Sequence, residues 1–333
     1  MVVNLDKTNI TMLLLHYAVG PIYIILTAAA LLSIVSPALN SLSSHGKTRL
    51  FSNKCHDNSN HDSIGSSLFQ RIRNFLLNSN ILSVKKSRFI DFYAIGSIFT
   101  TIIILTNNMM IGSTDEDDIN TTTSTPATEH TLWLPMYLLL IHLVRRFCEC
   151  LWVQKSVSTS RMHLAGYLLG VIHYLCLPFV FIPVDHDLEQ ESGNRVKLFM
   201  AIMGCLYFQY QQHRHHVTLG NLRPNDTTSS SGGINSYHIP KGDWFEFVSC
   251  PHYLAEIMIY FIFATVIQIQ TAETAMGQNE ESGILSRLHT HRHWLVLLWV
   301  TTNLSISAER THEWYSSTFH AYPRRKKLIP FLW

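Results

Sequence analysis

Seven apolar runs, each close to the roughly 20 residues needed to cross a hydrocarbon core, divide this chain at 12–36, 89–111, 132–153, 164–183, 196–211, 247–269 and 293–310. In lipid, every backbone polar group must be paired within the spanning structure, so apolar runs of this length are read as helices. The expected fold is an all-α integral membrane protein: one multispanning domain over 1–333, a bundle of about seven transmembrane helices. Six remain possible, because the fifth and seventh runs are the weakest. Composition supports this reading, since 47% hydrophobic against 14% charged is too apolar for a soluble chain of 333 residues. A net charge of only +2 also excludes a nucleic-acid footprint.

The loops alternate in charge, which converts to an orientation through the positive-inside rule. Residues 37–88 carry Lys47, Arg49, Lys54, Arg71, Arg73, Lys85, Lys86 and Arg88, whereas 112–131 carry Asp115, Glu116, Asp117, Asp118 and Glu129 with no Lys or Arg. Lys155 and Arg161, the acidic 185–191 segment, the basic 212–243 segment and the Arg324-Arg325-Lys326-Lys327 tail continue the alternation. A lumenal N-terminus and a cytosolic C-terminus satisfy every loop except the mixed sixth. The first run continues from Met12 to Leu32 with no A-x-A-like cleavage site at its end, so it is expected to be retained as a span. The loops 41–88, 112–131 and 224–236, rich in Ser, Thr, Asn and Gly, are expected to be flexible. Asn120-Thr121-Thr122 matches a glycosylation acceptor on the lumenal side. The six cysteines have no disulfide or zinc spacing and are expected to be free thiols.

Ionisable residues inside apolar runs are costly, and they default to a functional reading. In the third run His142, Arg145, Arg146 and Glu149 fall at i, i+3, i+4 and i+7, one face of a helix. Two readings stay open: a structural ion pair, or an arginine that grips a phosphate while Glu149 orients it. The fifth run closes on Gln212-His213-Arg214-His215-His216, followed by Leu219-Gly220-Asn221-Leu222-Arg223. Adjacent His215 and His216 diverge on a helix and no partner carboxylate is near in sequence, so no metal site is expected. On the sixth run His252, Glu256 and Tyr260 form a polar stripe, with Tyr253 adjoining it. His289, His291 and His293 are expected to be solvated on the lumenal side. Glu309, His312, Glu313 and Tyr315 close the last run, before Tyr322-Pro323 and Leu328-Ile329-Pro330-Phe331-Leu332-Trp333. No G-x-G-x-x-G follows a strand, which excludes a Rossmann dinucleotide site.

Gly242-Asp243-Trp244-Phe245-Glu246 and Pro251-His252-Tyr253-Leu254-Ala255-Glu256, with the third-run helix and the closing Leu-Ile-Pro-Phe run, resemble the steroid 5-alpha-reductase family, on its polyprenol-reductase side. The likeness covers about 142–333 in patches, plus Gly46-Lys47-Thr48. The segment between Tyr322-Pro323 and the closing run is one residue shorter than the family's usual form. The resemblance implies NADPH as cofactor, in a cavity between helices open to the cytosol. It implies cofactor contacts at Arg145, Arg146, Glu149, Gln212, His216, Asn221, Arg223, His252, Glu256 and Tyr315, with His312 and Tyr315 as candidate proton donors. Many relatives carry Asn at the position of His252. Steroid enzymes of the family carry Tyr after the third-run His, where this chain has Leu143, and a Gln-Glu-x-Pro-Ser element with no equivalent here.

The expected substrate is therefore a long-chain polyisoprenoid, its tail in membrane lipid, reduced at the alpha-isoprene double bond of polyprenol, with polyprenal as the form reduced. That reaction makes dolichol for protein N-glycosylation at the endoplasmic reticulum membrane, and no protein or nucleic-acid partner is expected. The alternatives are a steroid or enoyl-lipid reductase with the same cofactor, a seven-span methyltransferase, and a channel or receptor.

Overall fold

The structure, a computed structural model, describes residues 7–35, 83–112, 133–154, 160–183, 192–222, 237–271 and 290–333. Each predicted run lies on an α-helix: α1 Lys7–Val35, α2 Phe89–Gly112, α3 Leu134–Trp152, α4 Leu164–Val180, α5 Ser192–Asn221, α6 Pro251–Thr271 and α7 Arg292–Thr318. Three stretches, Tyr17–Ile34, Lys86–Asn107 and Pro251–Thr271, are long and apolar enough to cross a membrane by themselves. Of the other helices, Leu164–Val180 is apolar but shorter, while α3 and α5 interrupt their apolar runs with polar stripes that build the site. Large apolar side chains such as Ile25, Leu32, Ile98, Phe199 and Met200 point outward, an arrangement that suits lipid and would be a liability in water. The protein is thus a mostly helical, multi-pass membrane protein. Arg223, Asn120, residues 46–48, the 113–131 and 224–236 tracts, Cys55 and His289 lie outside the described residues.

Of the 41–88 loop, its last six residues are described and are ordered. Ser83–Lys85 (β1) pairs antiparallel with Arg161–His163 (β2), placing Ser83 opposite His163. Arg161 clasps Ser83 through Nε to the hydroxyl at 2.6 Å and Nη2 to the carbonyl at 3.1 Å. The end of the first basic loop and the start of α4 therefore lie at one end of the bundle, as the charge alternation requires. His163 then caps α4, its Nδ1 accepting from the Ala165 amide at 3.1 Å.

α6 sits at the centre, against α5, α7 and α3, while α1 packs on α7 and α4. Close approach is set by small residues: a side chain at Gly170 would meet the Phe92 ring at 2.6 Å. At the opposite end, Arg292 is buried and donates to the carbonyls of Val180 and Ile182, at 3.1 and 2.9 Å. It thereby satisfies the C-terminal carbonyls of α4 from another helix. Arg292→Ala is expected to destabilise the fold by about 2–3 kcal/mol, the usual loss for charged hydrogen bonds to buried acceptors, read as a lower melting temperature in detergent. His293 departs from its solvated reading: it is buried, with Nε2 3.2 Å from Gln268 Oε1.

The C-terminal tail folds back rather than trailing into solvent. Lys326 exchanges backbone hydrogen bonds with Phe247 and Ser249, both 2.9 Å, beside the turn over Asp243–Glu246. That turn begins at Gly242 and Asp243 with φ of 83° and 53°, a region where glycine adds no strain, and the Glu246 carboxylate accepts the Gly242 amide.

Candidate functional site

The polar stripes of three helices meet in one buried seam. On α3 the stripe is His142, Arg145, Arg146 and Glu149. Gln209, Gln212, His213 and His216 repeat the same i, i+3, i+4, i+7 spacing on α5. Arg145 reaches across to Gln209 (Nε to Oε1, 3.0 Å) and to Gln212, and along its own helix to Glu149. Arg146 bonds Glu149 and, at 2.8 Å, the Tyr93 hydroxyl of α2. Glu149 also takes His213 Nδ1 at 2.9 Å and His216 Nδ1 at 2.7 Å. That same His216 nitrogen is 2.7 Å from Arg146 Nη1, so it serves as donor to the carboxylate or as acceptor from the guanidinium, one at a time.

α6 closes the seam. Glu256 is hydrogen-bonded by Gln212 and lies 3.3 Å from His142 Nε2. The His142 ring stands edge-on to Tyr260 with centroids 6.1 Å apart. At the other end of the stripe His252 faces His216, centroids 5.6 Å apart. The contacts order themselves by depth: α3 and α5 run the same way and α6 the opposite way, as consecutive crossings demand. From one end of the bundle inward the seam reads His216 and His252, then Arg146, Glu149, Gln212 and Glu256, then His142 and Tyr260. Arg145, Arg146, Glu149, Gln212, His216 and Glu256 are all brought together, with His252 at the mouth. Asn221 is exposed as the last residue of α5.

His312 and Tyr315 form a separate cluster past the end of the last apolar run. Ser249 Oγ is 2.7 Å from His312 Nδ1 and 2.7 Å from the Tyr322 hydroxyl, and Tyr322 stacks on Tyr315 with centroids 5.4 Å apart. Burial, with Lys327 nearby, lowers the His312 pKa, so the ring is neutral at physiological pH. Tyr253 adjoins the His252 ring, centroids 4.1 Å apart, and packs against Cys250, Ala308 and Leu328.

The histidines of α5 do have carboxylates, contrary to the sequence reading, because partners arrive from other elements: Glu149 at His213 and His216, and Asp243 at 3.8 Å from His215. Burial holds His215 down to about 4, with Asp243 opposing, and the ring packs on Trp244 and Phe245. No group of three or more metal-ligating side chains occurs among the described residues. Cys148, Cys150, Cys176, Cys205 and Cys250 are free thiols.

The model of the 3-oxo-5-alpha-steroid 4-dehydrogenase family matches residues 161–276 and 287–333, which contain the α5 and α6 stripes and the His312 cluster. Polyprenal reductase of Homo sapiens is 32% identical over 211 residues, covering 60% of this chain and 59% of the human protein. That of Xenopus tropicalis is 33% identical over 208 residues, 60% of each chain. Polyprenal reductase 1 of Oryza sativa subsp. indica is 27% identical over 307 residues, 75% of this chain and 80% of the rice protein. The matches thus span about 60% of the length of these two vertebrate relatives. The match of the family model over 161–276 and 287–333, together with these relatives, places this protein in the 3-oxo-5-alpha-steroid 4-dehydrogenase family, the steroid 5-alpha-reductases.

Proposed function

We propose that the chain uses NADPH to reduce the alpha-isoprene double bond of a polyprenol-derived lipid, taken as polyprenal, in the dolichol branch that supports N-glycosylation. The observation that carries this reading is the seam itself, charged and amide side chains descending from one end of an apolar bundle to its centre. The relatives named polyprenal reductase support the substrate class. Leu143 supports it too: it is fully buried and packs toward Gly96 of α2, so it offers no polar contact where steroid enzymes of the family have a tyrosine.

The seam fits one end of a dinucleotide better than the other. Arg145 and Arg146 are opposed by Glu149 and Glu256, so these four groups leave no net charge to attract a diphosphate. An uncharged nicotinamide suits this balance, its carboxamide meeting Gln212 and Glu256, while Arg146 Nε has no hydrogen-bond partner among the described residues and remains an open donor. The phosphates then lie outward, toward His216, His252 and Asn221. His312 and Tyr315, at the same outer end, hold cofactor rather than deliver a proton to the buried lipid. NADPH supplies a hydride, and a double bond conjugated to an aldehyde accepts it where an isolated allylic alcohol is a poor acceptor.

Seven spans, a lumenal N-terminus and a cytosolic cavity in the endoplasmic reticulum membrane complete the proposal, with residues 1–333 acting as one domain. The lipid tail stays in hydrocarbon and only its head enters the seam. The test is NADPH consumption by purified full-length protein in lipid nanodiscs. Consumption with polyprenal but not with polyprenol is expected. Direct turnover of the alcohol would overturn the aldehyde form, and no turnover of either would overturn the whole reading.

A further inference from the structure

Beyond the inner end of the seam lies a second pair of polar groups, from helices that contribute nothing to the stripes. Tyr23 of α1 is fully buried, and its hydroxyl is 3.1 Å from His173 Nδ1 and 3.3 Å from the His173 carbonyl of α4. The His173 ring lies 6.3 Å from Tyr260 and 6.3 Å from Trp299, centroid to centroid. Tyr260 in turn faces His142, and the charge of Glu256 reaches His173. The pair is therefore continuous with the deepest part of the seam. We propose that the Tyr23 hydroxyl, seated on His173, is the donor that holds the aldehyde oxygen of the lipid substrate. This rests on the polyprenal reading above and adds to it the residue that grips the head group.

The local geometry leaves the phenolic hydrogen available. The His173 carbonyl lies within α4, where it accepts a hydrogen bond from its own helix, so the 3.3 Å contact is a weak second bond. With the proton on Nδ1, His173 donates to the Tyr23 oxygen, and the Tyr23 hydrogen, held only by the long bond to the His173 carbonyl, can turn to a better acceptor. A phenol and an imidazole in an apolar bundle each carry a desolvation cost that an apolar pair of the same volume would avoid.

The chemistry asks for such a donor. Hydride adds to the β carbon of the enal, the π pair shifts to give an enolate, and a proton from solvent ends on the α carbon. Tyr23 keeps its proton and strengthens its hydrogen bond as charge gathers on the oxygen, so it favours the transition state over the ground state.

Tyr23→Phe and His173→Asn test this in full-length protein in nanodiscs, with three readouts: NADPH fluorescence titration, steady-state reduction of polyprenal, and the infrared carbonyl stretch of isotopically labelled polyprenal bound with oxidised cofactor. Tyr23→Phe is expected to bind NADPH as the wild type does, to lose roughly 10²–10³-fold in kcat, and to return the carbonyl stretch to its free-lipid frequency. His173→Asn, which still offers Tyr23 a hydrogen bond, is expected to keep part of both. A wild-type rate or an unmoved carbonyl band in Tyr23→Phe overturns the donor assignment alone. Loss of NADPH binding in both variants makes the pair a structural pin and also overturns it. A wild type that consumes NADPH with no polyprenal turnover sinks the underlying reading and this one together.

Discussion

Glu149→Ala is expected to abolish cofactor binding and most of the folded yield. The carboxylate is 2% exposed and takes hydrogen bonds or ion pairs from Arg145, Arg146, His213 and His216, two elements converging on one group. Its removal leaves the Arg145 and Arg146 guanidinium groups without their shared carboxylate in a buried site. Breaking a buried pair typically costs about 3–5 kcal/mol, and the net stability of a folded domain is only about 5–15 kcal/mol. Glu149→Gln keeps the shape and one acceptor oxygen, so it should fall between alanine and wild type. Thermal unfolding and size-exclusion profiles in detergent decide the matter. An alanine variant melting with the wild type would mean that the arginines find other partners, and the seam would then not be a single network.

How much of this could be read beforehand depends on whether partners share an element. The α3 stripe was legible because His142, Arg145, Arg146 and Glu149 declare one face by spacing alone. Gln209, three residues before Gln212 on α5, is uncharged and lies inside the apolar run, so spacing alone does not single it out. Tyr93 and Asp243 could not be found this way, since each meets its partner only when a distant helix or turn docks. Tyr23 and His173 are 150 residues apart, each an isolated polar residue in an apolar run, where a satisfied core residue is the ordinary expectation. The tail shows in the sequence as a basic run and a closing motif, but its backbone pairing with Phe247 and Ser249 is a tertiary bond that charge patterning cannot reveal. The helices themselves were legible at all seven runs because lipid permits little else. Their mutual directions agree with the charge alternation because both follow from consecutive crossings.

Gly220→Ala should damage the site without touching any of its side chains. A β carbon at Gly220 would lie 2.5 Å from the carbonyl oxygen of Val153. That atom is backbone at the C-terminal cap of α3, fixed by the 2.9 Å bond from the Val153 amide to the Glu149 carbonyl. Nothing flexible can yield, so the end of α5 must move away from α3. His216 lies one turn before Gly220 on the same face, and it reaches Glu149 across this very junction. Overpacking of this kind costs about 1–3 kcal/mol, and the same displacement opens the Glu149–His216 contact and shifts Asn221. NADPH affinity is therefore expected to fall by about tenfold or more, one decade for each 1.4 kcal/mol of lost contact. Gly204→Ala supplies the control, because its β carbon meets only the tip of Ile262 at 3.2 Å, an end that can rotate aside. Equal affinities in the two alanine variants would show that the α3–α5 junction does not position the cofactor cavity.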